Sequence, residues 1–281
     1  MKLLQWNIQW GLGVDGRCDL ARIADEIRAM GDPDVVCLQE LSDGMPDLKD
    51  NDGADQFAAI AALFPGFTAI EGVAVDVPGL APGERRRRFG NMMLSRLPVG
   101  QVMRYVLPWE ADATPNMPRV MIEAVVMATS GPIRVMTTHL EWSSVKLRAA
   151  QVKGIREAHR SACERVATSP SPYYGPFIPQ PSTLRAILTG DFNMRPEDPV
   201  KSAVEAPFSA GVPALKDAWM VAHPGVPHPP SFCIVDQSHS PPHCCDFVFV
   251  TEDLAARIGA ISYFTETRAS DHQPVLLTLD A

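Results

Sequence analysis

Polar side chains stand at the ends of short apolar runs that are spread over the whole chain. Asn7, Glu40 and His139 each come at the end of such a run, and Asp191 closes a fourth. A fifth polar signal, the triplet Ser270-Asp271-His272, precedes the last apolar run. Carboxylates, carboxamides and imidazoles placed repeatedly at strand ends are the parts of a metal-assisted phosphoryl-transfer site. The sequence therefore predicts a sheet whose edge carries such a site.

The apolar runs predict β-strands, and many are apolar on both faces, which is typical of strands buried in a layered core. They lie at 2–8, 34–39, 67–75, 90–95, 99–106, 119–128, 132–138, 184–190, 245–250, 258–264 and 273–279. Apolar residues at spacings of three and four predict a helix beginning at Leu20 and a longer one over 145–166. Early strands alternate with helices and middle strands follow as hairpins, which favours a four-layer α/β/β/α sandwich of two packed mixed sheets. No linker interrupts the pattern, so we expect one domain over 1–281.

Composition excludes several classes of protein. The 281 residues are 46% hydrophobic and 21% charged, and nothing approaches the roughly 18 consecutive apolar residues of a membrane span. We expect no membrane insertion. The first strand begins at once, without the pattern of a secretory signal, which favours the cytoplasm. The six cysteines lack framework spacing, so we expect no disulfides.

The formal charge of −8 argues against tight, sequence-independent binding of DNA, because neutralising phosphates needs a basic surface. The one concentrated positive feature is the run Arg85-Arg86-Arg87-Arg88. Two interpretations of this run stay open, a solvated loop and a contact with substrate phosphate.

The chain resembles the endonuclease/exonuclease/phosphatase superfamily, whose folds are like that of deoxyribonuclease I. The residues that carry the resemblance run from 6 to 272 and cover nearly the whole chain. They are Trp6-Asn7, Gln39-Glu40, Asn91-Met92-Met93-Leu94-Ser95-Arg96-Leu97-Pro98, Thr138-His139-Leu140, Gly190-Asp191-Phe192-Asn193, Asp246-Phe247-Val248-Phe249-Val250 and Ser270-Asp271-His272. The resemblance implies a deoxyribonuclease I-like sandwich that hydrolyses phosphate esters with Mg²⁺ or Mn²⁺.

The resemblance also implies a metal site. Glu40 is then the main metal ligand, Asn7 is a ligand or a hydrogen-bonding neighbour, and Asp271 is a further ligand on the far side. Magnesium takes oxygen ligands and keeps several waters, so one or two carboxylates open to the substrate suit it.

Five further residues are the catalytic candidates. Asp191 and Asn193 lie two apart, so their side chains point to the same side if strand geometry persists. In the family this Asp orients or deprotonates the attacking water, and this Asn binds phosphate or positions the Asp. His272 resembles an imidazole oriented by Asp246, and it either takes a proton from water or stays protonated to stabilise the transition state. His139 resembles a second imidazole that reaches the scissile phosphate.

Four residues are candidates for substrate binding. Asn91 and Arg119 open strands where family members sometimes place phosphate contacts, and a structural role is equally open for both. Glu141 and Trp142 follow the His139 motif, where they could line the pocket and select the leaving group.

The residues before Asp246 depart from the family pattern, because Cys244-Cys245 replaces a basic or polar residue followed by an aliphatic one. With His239 and His243, these cysteines suggest zinc as an alternative. Adjacent cysteines on a strand point to opposite faces, however, which makes a shared ion difficult.

Two long loops are expected to be functional or mobile. The loop 168–182 is rich in proline and aromatic residues, and we expect it to form a wall for the substrate. The loop 223–243 carries four histidines among its prolines and ends just before Asp246.

These features favour divalent-metal-dependent hydrolysis of a phosphoester by in-line attack of an activated water. The acidic balance favours a small or non-polymeric substrate. A DNA endonuclease or exonuclease of the repair type is the alternative, so nucleic acid is a less favoured partner. An inactive scaffold or binding module is a minor alternative, against which the intact residue set argues. The sequence alone does not identify a protein partner.

Overall fold

A computed structural model describes residues 1–168, 171 and 174–280 of the chain. Within them, twelve strands form two sheets of six. The first sheet contains β1 (Lys2–Asn7), β2 (Val35–Asp43), β3 (Thr68–Val77), β4 (Arg87–Ser95), β11 (Ile258–Tyr263) and β12 (Val275–Leu279). The second contains β5 (Val99–Val106), β6 (Val120–Ala128), β7 (Gly131–His139), β8 (Ala186–Asp191), β9 (Leu215–Asp217) and β10 (Asp246–Thr251).

Each sheet has a parallel pair of strands at its centre. The strand order is β11-β12-β1-β2-β4-β3 in the first sheet and β5-β6-β7-β8-β10-β9 in the second. Strands β1 and β2 are parallel, as are β7 and β8, and their other neighbours are antiparallel. Because parallel strands end at the same edge of a sheet, the last residues of these pairs are brought side by side.

Six α-helices lie among the described residues. They are α1 (Leu20–Ala29), α2 (Gln56–Leu63), α3 (Val145–Ala167), α4 (Pro199–Glu205), α5 (Ala218–Ala222) and α6 (Glu252–Ala255). Short polar side chains cap the first turns: Asp19 accepts from the backbone N–H of Arg22, and Ser144 accepts from that of Leu147. Such a cap satisfies a backbone donor that has no partner within the helix, so the sequence itself sets where these helices begin.

Three clusters of buried side chains define the layers. The cluster between the two sheets includes Val35, Ile122 and Val135, all with exposure of 1% or less. A second cluster packs α1 and α2 on the first sheet, and a third packs α3 and α4 on the second. The protein is therefore an α/β/β/α sandwich, which confirms the fold expected from the sequence.

The structure confirms all eleven predicted strands and both predicted helices. The sequence reading missed β9 and the four shorter helices α2, α4, α5 and α6. Among the described residues, no helix has both the length and the apolar character needed to cross a bilayer. All six cysteines have free thiols.

Candidate active site

The pairing of strands from both sheets brings the predicted polar residues together. In the first sheet Asn7 is the register partner of Gln39, at the parallel ends of β1 and β2. In the second sheet His139 is the partner of Asp191, at the parallel ends of β7 and β8. Strand β10 begins beside them, because its first residue, Asp246, pairs with Asp191 in antiparallel register. The site therefore sits where both sheets end at one edge of the sandwich.

A cavity of about 910 Å³ opens at this edge. Eight of the twelve site residues predicted from the sequence line it: Glu40, Arg119, His139, Trp142, Asp191, Asn193, Asp271 and His272. The other four, Asn7, Asn91, Glu141 and Asp246, are buried and do not line it. These four can act on a ligand in this cavity only through the residues that they contact.

The His272 imidazole lies between two carboxylates, of which Asp191 lines the cavity and Asp246 does not. Nδ1 of His272 lies 2.8 Å from Oδ2 of the fully buried Asp246, and its Nε2 lies 3.6 Å from Oδ2 of Asp191. Burial alone would lower the pKa of His272, but the Asp246 and Asp191 carboxylates outweigh it and hold that pKa well above the ordinary value. The arrangement favours the imidazolium form of His272 at neutral pH.

Glu40 and Asp271, which also line the cavity, have raised pKa values. Burial, followed by repulsion from Asp271, raises the pKa of Glu40 to about 7. Burial also raises the pKa of Asp271. Asn7 supports Glu40 as a neighbour: its Nδ2 donates to Oε1 of Glu40 and Oδ2 of Asp191, each at 3.0 Å, while its Oδ1 accepts from the N–H of Gln9. A cation bound here would offset the effect of burial and, at Glu40, the repulsion from Asp271 that raise these pKa values.

Asn193 reaches the site by a route that the sequence did not predict. Strand geometry ends at Asp191, and Asn193 has a left-handed backbone with φ of 49°, so the expected alternation of strand side chains does not apply. Its Nδ2 donates to Nε2 of His139 and to the carbonyl of Leu140, both at 3.0 Å. Its backbone N–H donates to Oδ1 of Asp191 at 2.9 Å. With its amide hydrogens engaged in this way, Asn193 positions Asp191 and His139.

His139 is a neutral ring in this arrangement. Burial, followed by the charge of Arg119, lowers the pKa of His139 to about 3. Its Nε2 accepts the hydrogen bond from Asn193 and lies 3.5 Å from Oδ2 of Asp191. His139 lines the cavity, as the prediction that it reaches the scissile phosphate requires, and in this structure its Nε2 is held by Asn193.

Arg119 is an arginine of the cavity lining whose guanidinium group is buried. Its side chain is only 3% exposed, yet Nε and Nη1 have no hydrogen-bond partner. The nearest carboxylate, Oε2 of the fully buried Glu141, is 3.6 Å from Nε. A buried guanidinium normally satisfies its fixed fork of donors, so the unmade bonds of a residue that lines the cavity point to an anionic ligand.

The remaining substrate-binding candidates divide between the cavity and the core. Trp142 lines the cavity and is 63% exposed. Asn91 instead donates from Nδ2 to the carbonyl of Val120 and is 2% exposed, and Glu141 accepts from the backbone N–H groups of Trp142 and Ser143. Asn91 and Glu141 thus hold the walls in place and do not face a ligand in this structure.

The sequence left two interpretations of the run Arg85–Arg88 open, and the structure favours the one without substrate contact. Each of its four side chains is paired with a carboxylate, and none lines the cavity. Of the two long loops, 223–243 contributes Phe232, His239, Ser240 and His243 to the lining. Residues 169, 170, 172 and 173 of the expected substrate wall lie outside the described part, and its described residues do not line the cavity.

Strained backbone is concentrated beside the cavity. Seven described residues other than glycine have positive φ, and four of them line the cavity: Gln9, Trp10, Glu40 and Asn193. Left-handed backbone costs a non-glycine residue about 1–3 kcal/mol and clusters at functional sites. Gln9 is also a residue that the sequence reading missed, since its Nε2 donates to Oδ2 of Asp271 at 2.8 Å.

The donors suit a hard divalent cation better than zinc. Glu40 and Asp271 offer oxygen ligands, which magnesium and manganese prefer, and a bound cation would favour the ionised form of both carboxyl groups, whose pKa values burial raises. Among the described residues, Asp191, Cys245 and His272 also bring one ligand atom each within 4.8 Å of one another. However, burial raises the pKa of Cys245 well above its ordinary value, which disfavours the thiolate that zinc binds.

The predicted zinc alternative does not form as a cluster either. His239, His243 and Cys244 are not part of the candidate ligand group found among the described residues. Sγ of Cys244 instead lies 3.7 Å from the hydroxyl of Tyr263, and Sγ of Cys245 lies 3.5 Å from Asp246. The two adjacent cysteines therefore have different surroundings, as expected for neighbours along an extended chain.

The fold is an α/β sandwich of the deoxyribonuclease I-like class, with a cavity lined by carboxylates and imidazoles at the edge where its sheets end. The chain belongs to the Endonuclease/Exonuclease/phosphatase family, whose model matches residues 4–272. The family is hydrolytic and of the phosphoesterase type. Among curated proteins, none matches this sequence at a significant level.

Solved structures share the fold at low identity. An endonuclease/exonuclease/phosphatase from Beutenbergia cavernae DSM 12333 is 23% identical with a TM-score of 0.63, over 99% of this chain and 70% of that one. A mannosyl-6-phosphatase from Bacteroides thetaiotaomicron VPI-5482 is 16% identical with a TM-score of 0.66, over the whole of both chains. TDP2 from D. rerio, complexed with single strand DNA product, is 18% identical with a TM-score of 0.63, over 100% of this chain and 99% of that one.

Proposed function

We propose that this protein is a divalent-metal-dependent phosphoester hydrolase that uses an activated water on a small or non-polymeric substrate. The observation that carries the proposal is the convergence of Glu40, Asp191, Asp271 and His272 around one cavity with the partly unsatisfied Arg119. Acidic ligands for a cation, an oriented carboxylate and a buried guanidinium are the parts that in-line displacement at phosphorus needs.

Glu40 and Asp271 would hold Mg²⁺ or Mn²⁺, with Asn7 orienting Glu40 and Gln9 orienting Asp271. When bound, the cation supplies Lewis acidity toward a phosphoryl oxygen and neutralises charge. The two carboxyl groups favour this role because burial makes the ionised form of each costly, and the Asp271 charge adds to that cost at Glu40.

The protein's own groups manage the water and the charge. Asp191 accepts from Asn7 on Oδ2 and from the backbone of Asn193 on Oδ1, and these bonds fix the carboxylate that would orient the attacking water. His272 faces the same carboxylate oxygen, and its raised pKa favours a protonated ring that stabilises charge on the phosphoryl group. Arg119 would bind a phosphoryl oxygen through its unmade hydrogen bonds.

The distribution of charge favours a small substrate. The arginines of the run Arg85–Arg88 are paired with carboxylates away from the cavity, so they supply no free basic track for a polyanion. A cavity of about 910 Å³ holds more than one phosphate group, which leaves room for the alcohol part of an ester. The exposed indole of Trp142 lies at this cavity and would contact that part.

A DNA nuclease is the second candidate function. It is favoured by the fold shared with a TDP2 structure that contains a single strand DNA product. The net charge of −8 and the paired arginine run weigh against it.

The test is hydrolysis of a panel with Mg²⁺, Mn²⁺ or a chelator. The panel contains a phosphomonoester, a generic phosphodiester, sphingomyelin, plasmid DNA and an abasic-site duplex, and Asp191→Ala is purified in parallel as the background. We expect metal-dependent turnover of small esters that the variant loses. Turnover of DNA or the abasic duplex would establish the nuclease instead, and wild-type turnover no higher than that of the variant on every substrate would reject the proposal.

A further inference from the structure

Ser231, on the histidine- and proline-rich loop 223–243, has a fully buried hydroxyl with three hydrogen bonds. Its Oγ donates to Oδ2 of Asp246 at 2.7 Å. The same oxygen accepts from the backbone N–H groups of Cys245 at 3.0 Å and Asp246 at 3.1 Å. A hydroxyl has one hydrogen and two lone pairs, so these bonds use its whole capacity and leave the group one orientation.

The Asp246 carboxylate is held at both oxygens. Nε2 of Gln5 donates to Oδ1 at 2.7 Å, while Oδ2 accepts from Ser231 and from Nδ1 of His272 at 2.8 Å. Asp246 and Ser231 are fully buried, where hydrogen bonds to a carboxylate are short, strong and unscreened by water. The orientation of the carboxylate therefore sets the direction from which the His272 ring is held.

The backbone around Ser231 is itself fixed against the site. The N–H groups of Ser231 and Phe232 both donate to the carbonyl of His243, at 2.9 and 3.0 Å, and the N–H of Gln273 donates to the carbonyl of Ser231 at 2.7 Å. The Phe232 ring packs on the His272 ring with centroids 4.6 Å apart and planes inclined by 37°. This segment thus links His243, which precedes β10, to Gln273, which follows His272.

No group beside Asp246 could replace the hydroxyl. Sγ of Cys245 lies 3.5 Å from Oδ2 of Asp246, but a thiol is a weak donor. Without the Ser231 oxygen, the backbone N–H groups of Cys245 and Asp246 would also lose the acceptor that holds the start of β10.

We propose that Ser231 is a positioning residue for the hydrolytic reaction: its hydroxyl fixes the Asp246 carboxylate, and through it the His272 ring, toward the phosphoryl group. This inference rests on the proposed function. It gives the loop 223–243 a part in catalysis that does not require its histidines to touch the substrate.

The first test compares turnover of an activated phosphodiester with Mn²⁺ in wild type and four variants. Ser231→Ala is expected to lower kcat by about 10- to 100-fold, the range for partners that orient a functional group, with KM unchanged. Ser231→Thr, which keeps a hydroxyl, should restore most of kcat, whereas Ser231→Cys, whose thiol is a weak donor, should not. Ser238→Ala, on an exposed part of the same loop, is the matched control. A wild-type kcat in Ser231→Ala, with only a lower melting temperature, would overturn the proposal.

A double-mutant cycle with Asp246→Asn separates this inference from the proposed function. If Ser231 acts through Asp246, Ser231→Ala should lower kcat no further in the Asp246→Asn background. Additive losses would mean that Ser231 acts elsewhere, which overturns the inference and leaves the hydrolase intact. Wild-type kcat in Asp246→Asn would show that the Asp246–His272 contact does not set the turnover rate, which overturns this inference and leaves the proposed hydrolase intact.

A spectroscopic readout needs no turnover. The proton on Nδ1 of His272, bonded to Asp246, should give a low-field resonance that His272→Gln removes. We expect Ser231→Ala to move or broaden this resonance, because the carboxylate that accepts it is no longer fixed, whereas Ser238→Ala should leave it unchanged. An unmoved resonance in Ser231→Ala would overturn the proposal.

Discussion

Arg119 and the run Arg85–Arg88 differ in what surrounds their guanidinium groups. Arg86 is 58% exposed in its side chain and lies 2.5 Å from Asp76, while Arg87 lies 2.5 Å from Asp47. Arg119 is 3% exposed, and its only ion-pair partner among the described residues is 3.6 Å away. The four adjacent arginines are all in ion pairs, and Arg85 and Arg86 are exposed, whereas one isolated arginine of the cavity lining keeps two buried donors without a partner. Anion binding depends on unsatisfied, desolvated donors more than on the density of positive charge along the sequence.

Removing the charge of Arg119 should give the largest effect. Arg119→Met keeps much of the side-chain volume but removes the donors, and we expect kcat/KM for metal-dependent hydrolysis to fall about 10²- to 10³-fold. Arg86→Met, the matched change in the run, should leave kcat/KM within about twofold of wild type, since surface ion pairs contribute little. Equal losses in both variants would erase the distinction between the two sets of arginines.

Removing the carboxylate partners of Arg119 and Arg86 should lower the free energy of unfolding by different amounts. Glu141→Gln leaves the Arg119 charge buried without its carboxylate, and we expect the free energy of unfolding to fall by about 3 kcal/mol. Asp76→Asn removes the exposed partner of Arg86 and should cost less than about 1 kcal/mol. Urea unfolding at pH 7 measures both changes, and a larger loss in Asp76→Asn than in Glu141→Gln would contradict the account.

The same contrast applies to two carboxylates of β2. Asp43 lies 2.8 Å from Arg85, whereas Glu40 faces Asp271 and its pKa is raised to about 7. Between about pH 4.5 and pH 7, Glu40 is therefore protonated in the folded state and ionised in the unfolded state. Its contribution to the free energy of unfolding is lost as the pH rises through this range. In chelator, the free energy of unfolding of wild type should fall more steeply from pH 5 to pH 8 than that of Glu40→Gln. Identical pH slopes would show that Glu40 lacks this proton.

Added Mg²⁺ should offset the loss of stability that accompanies deprotonation of Glu40 as the pH rises. Because ligands must be deprotonated, the rise in melting temperature caused by Mg²⁺ should grow from pH 5 to pH 8 in wild type and be small throughout in Glu40→Gln. Thermal unfolding at fixed Mg²⁺ concentration measures it. A shift of the same size in both proteins would place the cation elsewhere.

The smallest effect should be that of salt. If the arginine run contacts no substrate, kcat/KM for a small phosphoester should change by no more than a few-fold between about 50 and about 200 mM salt, far less than the 10³- to 10⁵-fold change typical of proteins with many phosphate contacts. Arg86→Met should show the same shallow dependence. A steep dependence that this variant reduces would give the run a role in binding.

Most of the sheet framework could be predicted because its strands are long apolar runs with clear ends. Strand β9 has three residues and pairs only with the edge of β10, too short to leave a periodic pattern. Helix α2 is apolar around most of its surface, from Gln56 to Leu63, and so lacks the stripe by which α1 was recognised.

The sequence predicted which residues at strand ends contribute to the site, but not how their side chains contact one another. The contacts of Asn193 depend on a left-handed backbone that the spacing from Asp191 does not reveal. The bond from Gln5 to Asp246 joins residues 241 positions apart, and that from Gln9 to Asp271 joins residues 262 apart. The first bond depends on how the two sheets pack, and the second depends on the pairing of β1 with β12 in one sheet; no local pattern specifies either.

The most direct measurement is a crystal structure with Mn²⁺ and inorganic phosphate, in which anomalous scattering locates the ion. The account predicts Mn²⁺ bound to Glu40 and Asp271, with a phosphate oxygen on Nη1 of Arg119. Mn²⁺ bound instead by Asp191, Cys245 and His272, or phosphate bound to the Arg85–Arg88 run with the cavity empty, would contradict it.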